Sequence, residues 1–209
     1  SAALAQTNQV LSRNAVGYIK RTVPANGLDF VTLPFVNLSG SANTISNVFP
    51  AASNLTQISL WNVGDQKYDT YLRSKGTWGV AGSNVLARGA GFFIQTPVQQ
   101  EFFLMGEVPD RFSAPTTTVT MVEGIVALGL GYPVDVQWSN TAAATSLPNL
   151  SQFSAWNKAT TSYVTLVKSK GGWGATPVTI NPGDGFFVTK PSGTGGSLNW
   201  NQAKPYTWP

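Results

Sequence analysis

The sequence contains no cysteine and no histidine. Ser-His-Asp and Cys-His catalysis, thiolate or imidazole metal ligation and disulfide cross-links are therefore excluded. Charge is also scarce: 11% of the 209 residues are charged, against roughly 25% in an ordinary soluble domain. The cations form no run longer than Lys20-Arg21 and the net charge is only +4, so the clustered basic face that nucleic-acid binding needs is missing. No apolar run approaches the roughly 20 residues of a membrane-spanning helix. What survives is carboxylate-only chemistry: a two-acid glycosidase or an oxygen-ligand calcium site.

Polar neutral side chains and glycine take the place of the missing charge. The apolar fraction, 42%, is close to ordinary and is enough to build a core. Near the start, Ala3-Leu4-Ala5 reads like the small-residue end of a signal peptide. Either the numbering begins just inside such a peptide or the chain keeps a short apolar arm, and both readings lead us to expect export to the cell surface or beyond.

The most informative feature is an internal repeat. Asn54-Leu-Thr-Gln-Ile-Ser-Leu-Trp61-Asn62 returns 95 positions later as Asn149-Leu-Ser-Gln-Phe-Ser-Ala-Trp156-Asn157. In the same register Tyr68 matches Tyr163, Thr70 matches Thr165 and Trp78-Gly79 matches Trp173-Gly174. One residue is then lost, and Gly89-Ala-Gly91-Phe-Phe93 matches Gly183-Asp-Gly185-Phe-Phe187. Upstream the match is weaker, with 27–35 set against 124–133. The expected organisation is an N-terminal arm over 1–13, a β domain over 14–112, a linker over 113–118 and a second β domain over 119–209.

The 21 glycines and 13 prolines punctuate runs too short for long helices. Strands are expected at Val16–Val23, 28–35, Gln57–Asn62 and Lys67–Leu72, with a hairpin turn at 63–66. The segments 91–96 and 101–105 are expected to pair with each other. Short helical turns are expected within 41–48 and 140–150. The fold class is all-β: two tandem homologous small β-barrel or β-sandwich domains preceded by an extended arm.

The repeat preserves aromatics and glycines but not acids: Asp69 faces Val164 and Asp184 faces Ala90 in the other copy. No opposed carboxylate pair is defined, so the chain is not read as an enzyme, and no catalytic, cofactor or metal residue is assigned. The Gly-x-Gly-Phe-Phe motif opens a strand rather than a helix, which favours a tight turn over a nucleotide loop. Trp61, Tyr68, Trp78, Trp156, Tyr163 and Trp173 have two readings. They fill cores, or they offer flat rings to a glycan beside Asn, Gln and Thr hydrogen-bonding groups. Asn37-Leu-Ser39, Asn54-Leu-Thr56 and Asn149-Leu-Ser151 are glycosylation sequons that matter only in a host with eukaryotic machinery.

Taken as a set, Val16-Gly-Tyr-Ile19, Leu33-Pro-Phe35, Trp61-Asn62, Gly76-Thr-Trp78, Gly89-Ala-Gly91-Phe-Phe93 and Met105-Gly-Glu-Val108 resemble a paralogous family of exported tandem-repeat β proteins in Verrucomicrobia and related bacteria. The resemblance covers the first repeat nearly throughout and the second from Asn149 to Val188. It implies export and a β fold and carries over no catalytic residue.

Two functions from different classes are therefore expected. In the first, the chain is a structural subunit of an extracellular filament or surface assembly. Ala3, Leu4, Val10 and Leu11 of the arm then add a strand to the next copy, or fold back on their own domain. In the second, it is a secreted carbohydrate-binding or adhesive module using the paired Trp and Tyr residues.

Overall fold

The computed structural model describes residues 15–110 and 116–207. The arm residues Ala3, Leu4, Val10 and Leu11 lie outside the described residues. The fold is all-β and every strand pairing is antiparallel. The first half holds β1 (Val16–Val23), β2 (Leu28–Thr32), α1 (Ile45–Val48), β3 (Gln57–Asn62), β4 (Lys67–Leu72), β5 (Gly91–Gln95) and β6 (Gln100–Glu107). The second holds β7 (Thr116–Met121), β8 (Gly124–Gly129), β9 (Val136–Gln137), α2 (Ala142–Ser146), β10 (Gln152–Asn157), β11 (Ser162–Val167), β12 (Thr179–Ile180), β13 (Gly185–Lys190) and β14 (Leu198–Ala203).

The sequence repeat is a topological repeat. Each half has a four-stranded sheet, ordered β2-β5-β3-β4 in one and β8-β13-β10-β11 in the other. Each also has a two-stranded ribbon, β1 with β6 and β7 with β14. Even the capping repeats: Thr44 and Thr141 accept from the backbone N–H of Asn47 and Ala144 to start the two short helices. Left-handed residues recur at Leu55 and Leu150 and at Lys75 and Lys170.

The period-2 alternation of the strands sorts each four-stranded sheet into two different faces. One face of the first sheet carries Val31, Ile58, Phe92 and Ile94 into a core completed by Ile45, Phe49, Trp78 and Leu104. In the second sheet Val126, Leu128, Phe153, Phe186 and Val188 do the same around Trp138, where Trp138 stacks on Phe153 at 4.4 Å. The opposite faces, bearing Phe30 and Phe93 in one sheet and Ala127 and Phe187 in the other, form a third cluster shared by both halves.

Two expectations are corrected. Segments 91–96 and 101–105 do not form a hairpin: β5 lies between β2 and β3, while β6 returns to pair with β1. The reason is burial. β5 is apolar on both faces and takes the sheet interior, whereas β6 alternates buried and exposed residues as a one-sided ribbon does. In addition, β7 begins at Thr116, so the last three residues of the expected linker are paired with β14. Among the described residues no helix is long and apolar enough to cross a membrane.

Candidate functional site

The repeat's preserved aromatics gather where the two sheets face one another. In β3 the alternation that buries Ile58 turns Ser59 and Trp61 to the other face, and the hairpin register places Trp61 opposite Tyr68. In β10 it does the same for Ser154 and for Trp156 opposite Tyr163. Each indole then crosses to the other half. Trp61 Nε1 donates to the Ile125 carbonyl at 2.7 Å, and Trp156 Nε1 donates to the Leu28 carbonyl at 3.3 Å. Leu28 is the first residue of β2 and Ile125 the second of the equivalent strand β8.

The backbone repeats this exchange. Thr32 N–H donates to Gly183 O at 3.0 Å, and Gly129 N–H donates to Gly89 O at 2.9 Å. Paired reciprocal contacts of this kind mark an approximate two-fold relation between the halves. Between them Phe30 stacks on Phe93 at 4.2 Å and approaches Phe187 at 4.7 Å. The Gly-x-Gly motif serves this approach. Gly89 and Gly183 have φ of +82° and +80°, which favour glycine. A Cβ on Gly91 would lie 2.6 Å from Leu128 O, and one on Gly185 would lie 2.6 Å from Phe30 Cδ2. The motif makes the expected turn and also lets two sheets touch.

A guanidinium closes one side. Arg21 binds both oxygens of buried Asp29 at 2.7 and 3.0 Å and reaches Asp184 of the other half at 2.7 Å. Burial alone would lower the pKa of Arg21, but the two carboxylates outweigh it and raise it. This geometry makes the two acids a clamp on one cation. Among the described residues no cluster of three or more His, Cys, Asp or Glu side chains could hold a metal.

The six aromatic candidates divide into two groups. Trp78 and Trp173 are core residues, 5% and 7% exposed, with their indole N–H groups on the carbonyls of Phe49 and Ala144. Being enclosed, they are out of reach of a glycan, and the glycan-contact reading does not extend to them. Trp61, Tyr68, Trp156 and Tyr163 line the junction of the sheets, and the two tyrosines are 40% and 44% exposed. The sequon asparagines are engaged locally: Asn54 and Asn149 each accept a backbone N–H, from Gly76 and Gly171.

Beside Trp61 the junction opens into a cleft of about 330 Å³, lined by Trp61, Tyr68 and Tyr163 and by Gln152, Ser154 and Thr165. Burial and the facing Tyr163 hold the Tyr68 hydroxyl well above its ordinary pKa, and burial also raises Tyr163. The hydroxyls of Ser154 and Thr165 pair at 2.9 Å, as do those of Ser59 and Thr70 on the repeat-related face. Gln152, Ser154 and Thr165 were not singled out from the sequence, although the matched Thr70 and Thr165 carried the signal. Arg21 and Asp29 lie eight positions apart, but their partner Asp184 is 163 positions from Arg21, and the three left no such trace.

Compared with known proteins, the chain matches no family model, no curated relative and no solved structure.

Trp61→Phe keeps a ring but removes the cross-half hydrogen bond, and is expected to cost about 0.5–1.5 kcal/mol in urea denaturation. Trp61→Ala, which also opens a void, is expected to cost about 3 kcal/mol. Loss of neither would show that the rings do not hold the halves together. Because the folded pKa values of Tyr68 and Tyr163 are raised, their contribution is complete below about pH 10, where unfolded tyrosine ionises, and falls as pH rises above it. Tyr68→Phe is expected to flatten that decline in denaturation curves taken between pH 8 and 11, and an unchanged slope would refute the assignment.

Proposed function

We propose that the protein is a structural subunit of an extracellular filament or surface assembly that joins copies of itself through the β1–β6 ribbon. One observation carries the reading. The ribbon buries its inner face on the first half's core, while its outer face bears Val16, Tyr18, Phe103 and Met105, which are 62%, 69%, 45% and 60% exposed. Tyr18 lies directly opposite Met105, and its ring centre is 6.0 Å from that of Phe103. Four large apolar side chains contiguous on one ribbon exceed the scattered exposure of an ordinary surface and mark a contact surface.

The ribbon borders a hollow of about 360 Å³ walled by Leu33, Phe35, Leu38, Val48 and Phe49, with Phe103 and Met105 at its rim. Among the described residues β1 pairs only with β6, leaving its other edge open to a further strand. The occupant that fits is the leading segment of a neighbouring copy. Ala3, Leu4, Val10 and Leu11 supply apolar side chains, and backbone pairing along the eight residues of β1 supplies register. A contact between two different surfaces of identical chains propagates head to tail. The resemblance to exported verrucomicrobial β proteins supports the extracellular setting. The low charge density supports close approach of like subunits.

Phe103→Lys changes one exposed side chain on the outer face and is expected to abolish assembly seen by negative-stain microscopy and sedimentation velocity, with the fold unchanged by circular dichroism. Deletion of residues 1–13 is expected to do the same. Normal polymers from the Phe103→Lys protein would overturn the ribbon as the contact surface. Normal polymers from the deleted chain would overturn the arm as its occupant.

A further inference from the structure

We infer that the cleft between the two sheets binds a neutral saccharide. The inference goes beyond self-assembly and rests on a different surface: the cleft lies at the junction of the halves, whereas the ribbon is the outer face of β1 and β6.

The lining has two chemistries. Trp61, Tyr68 and Tyr163 give aromatic walls, and Gln152, Ser154 and Thr165 give a polar floor on the face of β10 and β11. At about 330 Å³ the cleft falls in the lower part of the range for small-ligand sites. Among the described residues no Lys, Arg, Asp or Glu lines it. An anionic or cationic ligand would lose its hydration there without gaining an opposite charge.

The floor is not spent on the protein itself. In the Ser154–Thr165 pair one hydroxyl donates to the other, so the second keeps its proton for a ligand, and both keep acceptor lone pairs. Among the described residues the Gln152 carboxamide makes no hydrogen bond, so two donors and an acceptor face outward. A purely apolar ligand would cover these groups without pairing them, leaving buried donors and acceptors unsatisfied. A pyranose ring answers both chemistries. Its C–H faces pack on aromatic rings and its equatorial hydroxyls reach the amide and hydroxyl groups of the floor. The tyrosine hydroxyls stay protonated well above neutral pH, so the walls add no charge.

The test is isothermal titration of the purified full chain with neutral hexasaccharides of glucose, mannose and galactose, and with a sulfated galactan as the anionic control. Binding of at least one neutral oligosaccharide is expected, without preference for the sulfated polymer. Tyr163→Ala and Gln152→Ala are each expected to weaken that binding at least tenfold. Because Tyr163 also contacts the other half, Gln152→Ala, an exposed position on β10, keeps the test decisive if Tyr163→Ala fails to fold. Phe103→Lys is expected to bind sugar as the parent does, which separates this site from the assembly surface. No binding across the neutral panel, tighter binding to the sulfated control, or neutral binding indifferent to Gln152→Ala would overturn the inference.

Discussion

Two indole N–H groups, each donated across to the first strand of the opposite sheet, define how this molecule is put together. Trp61 on Ile125 and Trp156 on Leu28 are the same interaction made twice, in opposite directions. Each satisfies a polar atom at the edge of an aromatic cluster and fixes the depth at which one sheet sits against the other. The glycines at 91 and 185 permit that depth, and the Arg21 clamp on Asp29 and Asp184 adds charge to it on one side. The cleft is a consequence of this single junction.

The duplication explains why the junction is economical. A unit with one sheet face buried in its own core still carries a second face of aromatics and hydroxyls. Two copies turned toward each other cover the aromatic part of both. The halves are not perfect copies at the contact. Phe30 stands where the second half has Ala127, so one large ring fills the space between Phe93 and Phe187. Ala90 is replaced by Asp184, which gives Arg21 its second carboxylate. Substitutions at these two positions distinguish a shared interface from two independent units.

Much of this was legible in the chain. The strand bounds Val16–Val23, Gln57–Asn62 and Lys67–Leu72 followed from alternation and turn residues, and the helical turns sat in the two short segments between strands. The matched aromatics were rightly the informative residues, but their partners were not readable. Periodicity says that Trp61 leaves the face of Ile58, and it does not say that the other face meets a second sheet. For the same reason β5 and β6 read as a hairpin. Adjacent apolar runs suggest pairing, yet the one buried on both faces is drawn into the sheet while the one-sided run goes to the ribbon. The Arg21 clamp joins residues 163 positions apart, a separation that no local pattern reports.

If the tryptophan exchange and the shared aromatic cluster make the halves one cooperative body, they unfold together. Differential scanning calorimetry of the protein at a concentration where it is dispersed measures this directly. A single transition whose van't Hoff and calorimetric enthalpies agree is the result expected of one body. Two resolved transitions, each carrying about half of the enthalpy, would contradict it.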